Sequence, residues 1–211
     1  MCPSNSEIIS VNIFRAGYEN FNIFKDFSLT VRHGEFLGIY GSNGAGKTTL
    51  LKAIAGFPPP LFEGEVIVKG RVGYVFQNPD NQIIGATVEE DIRFGLENLP
   101  LDCETIEARL QETLLTFDLE KLRSKDTLTL SGGQKQRLAI AAIMCLDPDV
   151  LLFDEPFSML DRRERRAIMS LVKSLRNNQI TAVIASTNIK DLTFCDKVIN
   201  LNGGESLDRV R

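Results

Sequence analysis

Two stretches of this sequence carry side chains spaced for chemistry on a polyphosphate. The first is Gly41-Ser42-Asn43-Gly44-Ala45-Gly46-Lys47-Thr48, which matches the pattern G-x-x-x-x-G-K-[ST]. Its glycines let backbone N–H groups wrap phosphate oxygens without side-chain collision, and a helix starting there adds its positive N-terminal end. Lys47 is spaced to reach the β- and γ-phosphates, Thr48 to hold Mg²⁺, and Thr49 follows at the same helix end. The plain alternative is a glycine turn between a strand and a helix. The flanks supply what the motif needs: apolar Phe36-Leu37-Gly38-Ile39-Tyr40 before it and a helix-like stretch from Lys47 to Ala55 after it.

The second stretch is Asp154-Glu155-Pro156, directly after the apolar run Val150-Leu151-Leu152-Phe153. Ligands gather at the carboxyl ends of parallel strands, so two acids there can face a nucleotide held by a neighbouring loop. Asp154 would steer Mg²⁺, and Glu155 would polarise an attacking water as general base. An exposed acidic turn capped by proline is the alternative.

A third motif is Leu130-Ser131-Gly132-Gly133-Gln134-Lys135-Gln136-Arg137. Ser131 and Gln134 read as an S-x-x-Q capping box that opens a helix. Capping does not call for Gly132 and Gly133 together, because adjacent glycines weaken a helix. They do let a ligand approach the backbone closely at a helix N-terminus, which favours phosphate.

The elements that must position these residues alternate. Strands are expected at Ile8 to Phe14, Phe27 to Val31, Phe36 to Tyr40, Val66 to Val68, Val72 to Phe76, Val150 to Phe153, Ile180 to Ala185 and Val198 to Leu201, the last closing the chain. From Thr87 to about Arg123 the period is helical: Thr87 and Glu90 fit a capping box, and Ile106, Leu110, Leu114, Leu115 and Phe117 fall near one face. Asp161 with Glu164 caps a helix running towards Arg176. This pattern implies an α/β fold with a mainly parallel sheet covered by helices on both faces, and a helical insertion over about residues 78 to 127.

Composition excludes other classes. The chain has 211 residues, a net charge of −4 and a single histidine, His33. One histidine builds no His-rich metal site, and acidic balance argues against a general nucleic-acid binder. Cys2, Cys103, Cys145 and Cys195 form no C-x-x-C pair, so a reducing compartment fits. Met1 to Ser6 shows no secretory pattern, and no apolar run approaches the ~18 residues of a membrane span. Arg162, Arg163, Arg165 and Arg166 fall on several helix faces and read as a solvated helix start.

The octapeptide at Leu130 resembles the signature of ATP-binding-cassette (ABC) ATPases. With the phosphate loop and the acidic strand, the resemblance spans nearly the whole chain. It implies a P-loop nucleotide-binding core (1–77 and 128–211) with an N-terminal antiparallel β subdomain and an inserted helical subdomain (78–127). It also implies ATP and Mg²⁺ as ligands. Gln77 then corresponds to the glutamine that touches Mg²⁺ and senses a membrane partner. Asp161, in Ser158-Met159-Leu160-Asp161, corresponds to the loop that crosses between two chains. Tyr18, or alternatively Phe14, would stack on adenine.

The family's chemistry is dimeric and head-to-tail, so Ser131, Gly132, Gly133 and Gln134 would meet ATP bound to a second cassette chain. Transmembrane subunits would be separate chains, and the protein would sit in the cytoplasm on the inner face of the membrane. Phe76-Gln77-Asn78-Pro79-Asp80-Asn81-Gln82 and Gly85-Ala86-Thr87-Val88 resemble energy-coupling-factor importer ATPases. One position departs from the family. Asn188, after the strand Ile180 to Ala185, stands where a histidine is expected, and His33 is in the wrong place to replace it. A weakened hydrolytic site is therefore expected. The competing expectations are a nucleotide-gated clamp that hydrolyses slowly and a soluble ABC ATPase of DNA repair or translation.

Overall fold

The computed structural model describes residues 6–19, 21–202 and 206–207. Most of the stretch Met1 to Ser6, Cys2 included, lies outside the described residues. Two sheets organise the chain. Strands β1 (Glu7–Tyr18), β2 (Phe21–Arg32) and β4 (Leu61–Val68) form an antiparallel sheet in the order β2-β1-β4. Strands β3 (Phe36–Tyr40), β5 (Val72–Val75), β6 (Val150–Asp154), β7 (Thr181–Ser186), β8 (Lys197–Asn200) and β9 (Ser206–Leu207) form a second sheet in the order β5-β6-β7-β3-β8-β9. Its pairs are parallel except that of β8 with β9.

Five α-helices are present among the described residues: α1 (Lys47–Ile54), α2 (Val88–Glu97), α3 (Cys103–Thr116), α4 (Gly132–Met144) and α5 (Arg162–Ser174).

Strand alternation explains the layers. On β3, β6, β7 and β8, Leu37, Ile39, Val150, Leu152, Val183, Ala185 and Ile199 join one apolar cluster with α1 and the antiparallel sheet. The intervening residues, among them Phe36, Leu151, Phe153, Ala182, Ile184 and Val198, join the other cluster with α2 to α5. The strands are apolar on both faces because both faces are covered. Phe36, Phe153 and Phe157 are fully buried, each side chain contributing about 1.5–3 kcal/mol. The helical insertion shares the core of the second cluster, so it is packed onto the sheet rather than held off it.

Several expectations need correction. The opening strands are longer than the apolar runs at Ile8 and Phe27, since strand pairing carries β1 on through Arg15 to Tyr18 and starts β2 at Phe21, ahead of polar Lys25. Leu115 is exposed and Phe117 lies past the helix end, so the buried face of α3 is Ile106, Leu110, Thr113 and Leu114. Val198 to Leu201 does not close the sheet, because β9 pairs antiparallel with β8 beyond it. The helix after Asp161 ends at Ser174 and continues as a 3₁₀ turn, Leu175–Asn178. The capping boxes at Thr87–Glu90 and Ser131–Gln134 both form as expected.

Candidate functional site

The phosphate loop joins the C-terminal end of β3 to α1, at the carboxyl edge of the parallel sheet. Gly46 has φ 96° and would collide through any Cβ with the side chains of Ile23 and Phe24, so the loop lies directly on β2. At Gly44 the opposite holds: φ is 80° and nothing lies within 4 Å of a Cβ position, so the crest of the loop is open. Asn202 fixes one shoulder, its Oδ1 accepting from Ser42 N and Ser42 Oγ at 2.9 Å each.

Helix α1 has no side-chain cap at Gly46. The other four α-helices begin with one: Thr87, Asp102, Ser131 and Asp161 each accept from a backbone N–H of the first turn. A helix end left without an internal acceptor is suited to an anion.

Lys47 points back under the loop and donates from Nζ to the carbonyl oxygens of Gly41 (2.9 Å) and Ser42 (3.0 Å). Its ammonium also lies 3.1 Å from Glu155 Oε1, and both residues are buried. The angle there is not that of a hydrogen bond, so Oε1 is a buried oxygen with a cation beside it and no donor aligned to it. The other oxygen, Oε2, accepts from Thr187 N (3.1 Å) and Thr187 Oγ1 (3.4 Å). Glu155 has φ 48°, a left-handed conformation costing roughly 1 kcal/mol for a side chain of this kind. That turn, fixed by Glu155 N donating to Ala185 O at 3.1 Å, carries the carboxylate off the end of β6 and back towards Lys47.

Asp154, at the last position of β6, is buried. It accepts from Thr48 Oγ1 on both oxygens, at 3.1 Å and 2.9 Å, and from the Tyr74 hydroxyl at 3.0 Å on Oδ2. A hydroxyl and a carboxylate suit Mg²⁺, which takes one or two protein oxygens and completes its shell with water and substrate phosphate.

The remaining expected residues fall at distinct places. Gln77 is exposed, two residues beyond Val75, the last residue of β5, and lines a surface pocket together with Gly132 and Pro156. Asn188 is exposed, and its side chain accepts from Lys190 N at 3.1 Å, capping the 3₁₀ turn Ile189–Leu192. Thr49 is buried in α1. Tyr18 and Phe14 are exposed on β1, while the aromatic touching Gly46 is Phe24.

Ser131 Oγ accepts from Gln134 N at 3.3 Å, and Gln134 Oε1 accepts from Ser131 N at 3.0 Å. A Cβ on Gly133 would lie 2.7 Å from Glu164 Cγ, so one of the two glycines answers to packing of α4 on α5; Gly132 meets nothing closer than 3.8 Å. Asp161 caps α5 through Arg163 N and Glu164 N at 2.7 and 2.8 Å, and those bonds hold its carboxyl below the ordinary range. No hydrogen bond or ion pair among the described residues joins Ser131–Gln134 to the phosphate loop.

Tyr74, Thr187 and Asn202 are parts of the site that motif reading missed. Tyr74 lay within a recognised strand, but its reach to Asp154 depends on which strand lies next to it.

These elements have counterparts in known proteins. Residues 24–158 match the ABC transporter family. An energy-coupling factor transporter ATP-binding protein (EcfA1) of Oceanobacillus iheyensis is 39% identical over 211 residues, covering 93% of this chain and 75% of that protein. The protein of the same name from Thermotoga maritima is 39% identical over 206 residues, covering 93% and 79%. Among solved structures, cbiO1 from Clostridium perfringens, part of the ABC transporter complex cbiONQ, superposes with a TM-score of 0.86 at 30% identity, over 96% of this chain and 88% of that one. The phosphate loop, the acidic strand end and the signature helix thus stand in one arrangement, and the chain belongs to the ABC transporter family of ATP-binding cassette ATPases.

Proposed function

We propose that this chain is the ATP-hydrolysing motor subunit of an energy-coupling-factor-type importer, that it acts as one half of a head-to-tail pair of cassette chains, and that Asn188 slows hydrolysis at its own phosphate loop. The observation that carries this reading is the cluster of Lys47, Thr48, Asp154 and Glu155 at one strand edge beneath an uncapped helix. The names of the relatives point to the importer class.

In this reading the α1 N–H groups and Lys47 bind the β- and γ-phosphates, and Lys47 gives up its loop carbonyls as it does so. Thr48 and Asp154, with Gln77 as a third contact, would hold Mg²⁺, which would supply neutralisation of the phosphate charge. Glu155 accepts a proton from the attacking water at Oε1, the oxygen that has no aligned donor. Ser131 already accepts one hydrogen bond, so its own O–H remains to donate to a phosphate on the partner chain's ATP. Gly132 and Gly133 offer backbone N–H groups beside it, the Gln134 N–H being held by Ser131 Oγ, and Asp161 lines the same surface hollow.

No helix among the described residues is long and apolar enough to cross a membrane. Attachment to the cytoplasmic side would come through transmembrane partner subunits. An apolar groove of about 780 Å³ between α1, β5 and the helical insertion supports such docking; Phe57 and Phe76 line it and are 73% and 41% exposed.

A second reading is favoured by Asn188 itself. Its side-chain oxygen is engaged as a cap, and an amide is uncharged and not a useful proton carrier. A chain so altered works as an ATP-gated clamp, lending its signature to a partner that hydrolyses. Steady-state ATPase of wild type, Asn188→His and Glu155→Gln, each alone and with the co-purified partner, separates the two. The motor reading expects Asn188→His to raise turnover roughly 10-fold or more, since one transition-state donor is worth ~10²–10³, and Glu155→Gln to abolish it. Unchanged turnover in Asn188→His, with Glu155→Gln inactive, removes the weakened-site idea. Recovery from cells only with ribosomes or DNA, and never with membrane proteins, removes the importer.

A further inference from the structure

Tyr74 belongs to no motif of the phosphate site, yet it touches that site's chemistry. It pairs in register with Leu152 on the neighbouring strand β6. Asp154 lies two residues further along, on the same face of the sheet, which is the reach of a long side chain across a strand pair. The phenol spans that diagonal and donates to Asp154 Oδ2 at 3.0 Å. The ring is held edge-on against Phe76, with centroids 5.2 Å apart, in the wall of the apolar groove.

An ordinary phenol titrates near ~10 and is protonated at neutral pH, so this hydroxyl serves Asp154, an acceptor, as a donor. Thr48 Oγ1 is the only other side chain bonded to Asp154 among the described residues. The two oxygens of Asp154 are therefore unequal: Oδ2 receives both hydroxyls, while Oδ1 receives Thr48 alone, at the longer distance.

We propose that Tyr74 is a positioning residue for the metal side of the site, clamping Asp154 through Oδ2 so that Oδ1 stays directed to the Mg²⁺ shell. The inference rests on the reading of Thr48 and Asp154 as the Mg²⁺ side. Losing a group that fixes a metal-binding carboxylate from behind typically costs roughly 10- to 100-fold in metal affinity. Phenylalanine at position 74 would keep the edge-on contact with Phe76, so the hydroxyl is the part without a packing role.

The test removes that oxygen alone. Mn²⁺ serves as the probe, its uptake by ATP-loaded protein followed by electron paramagnetic resonance in a Glu155→Gln background, where ATP persists. Tyr74→Phe is expected to weaken Mn²⁺ uptake roughly ten-fold and to leave ATP binding in EDTA unchanged. In an Asp154→Asn background the same change is expected to have no further effect. Unchanged Mn²⁺ affinity overturns the proposal for Tyr74 alone. An equal loss of ATP binding in EDTA, or a further loss in the Asp154→Asn background, also overturns it by pointing to packing. Wild-type protein that binds ATP but takes up no Mn²⁺ removes the metal reading and this proposal together.

Discussion

The phosphate loop and the signature helix both place glycines at a helix N-terminus, yet they are built in opposite ways. At the phosphate loop the helix is uncapped and the charges are buried: Lys47 faces Glu155, and Asp154 is held by Thr48 and Tyr74. At the signature the helix is capped by its own Ser131–Gln134 box, the serine is exposed, and the charged neighbours are surface ion pairs. The first site is assembled within one chain and stores its charges ready for a ligand. The second is finished as protein structure and leaves the Ser131 hydroxyl and the exposed backbone at Gly132 on the surface. A surface of that kind is suited to complete a site on another molecule.

Breaking the buried pair gives the sharpest test of this contrast. Lys47→Ala strands a carboxylate that is 7% exposed, and stability in urea denaturation should fall by about 3–5 kcal/mol. Adding Glu155→Gln should restore most of it, because the uncompensated charge is gone. A loss below about 1 kcal/mol would put Lys47–Glu155 in the class of surface pairs and erase the distinction.

Gly133 and Gly132 sharpen it at the other end. Gly133→Ala forces a Cβ against Glu164 at 2.7 Å and should cost about 1–3 kcal/mol. Gly132→Ala meets only ordinary contacts and should be neutral or more stable by up to about 1 kcal/mol. Equal effects at the two positions would mean that packing on α5 does not select the second glycine.

The smallest effect concerns the ion pairs that brace the helical insertion. Arg123 and Arg93 donate to Glu89 and hold its carboxyl at about 2, down from 4.5. A folded-state value below the unfolded one means stability present above about pH 4.5 and lost as pH falls towards about 2. With solvent screening the loss should be about 1 kcal/mol at most. Hydrogen exchange in α2 and α3 should record it, and Glu89→Gln should flatten that limb.

How far the site could be read in advance differs by residue. Gly41–Thr48, Asp154, Glu155 and Ser131–Gln134 were legible because each motif is contiguous and sits beside an apolar run whose length declares a strand or a helix. The caps at Thr87, Ser131, Asp161 and Asn188 were legible for the same reason, since a cap reaches only two or three residues. Tyr74, Thr187 and Asn202 were not, because their partners stand 80, 32 and 160 residues away in the chain. The separate reasons for Gly132 and Gly133 were also hidden, as one of them answers to a side chain on another helix.

Local chemistry, then, was determined by the sequence alone: which loop can wrap phosphate, which acids end a buried strand, which serine caps a helix, and that asparagine rather than histidine follows β7. Tertiary structure decided what each charge faces. The order β5-β6-β7-β3-β8-β9 sets β6 between β5 and β7, and only that order brings Tyr74 to Asp154 and Thr187 to Glu155. Hydrogen bonds and ion pairs act over about 3 Å, so their partners are chosen by strand neighbourhood, and strand neighbourhood follows from how the whole core buries its apolar faces.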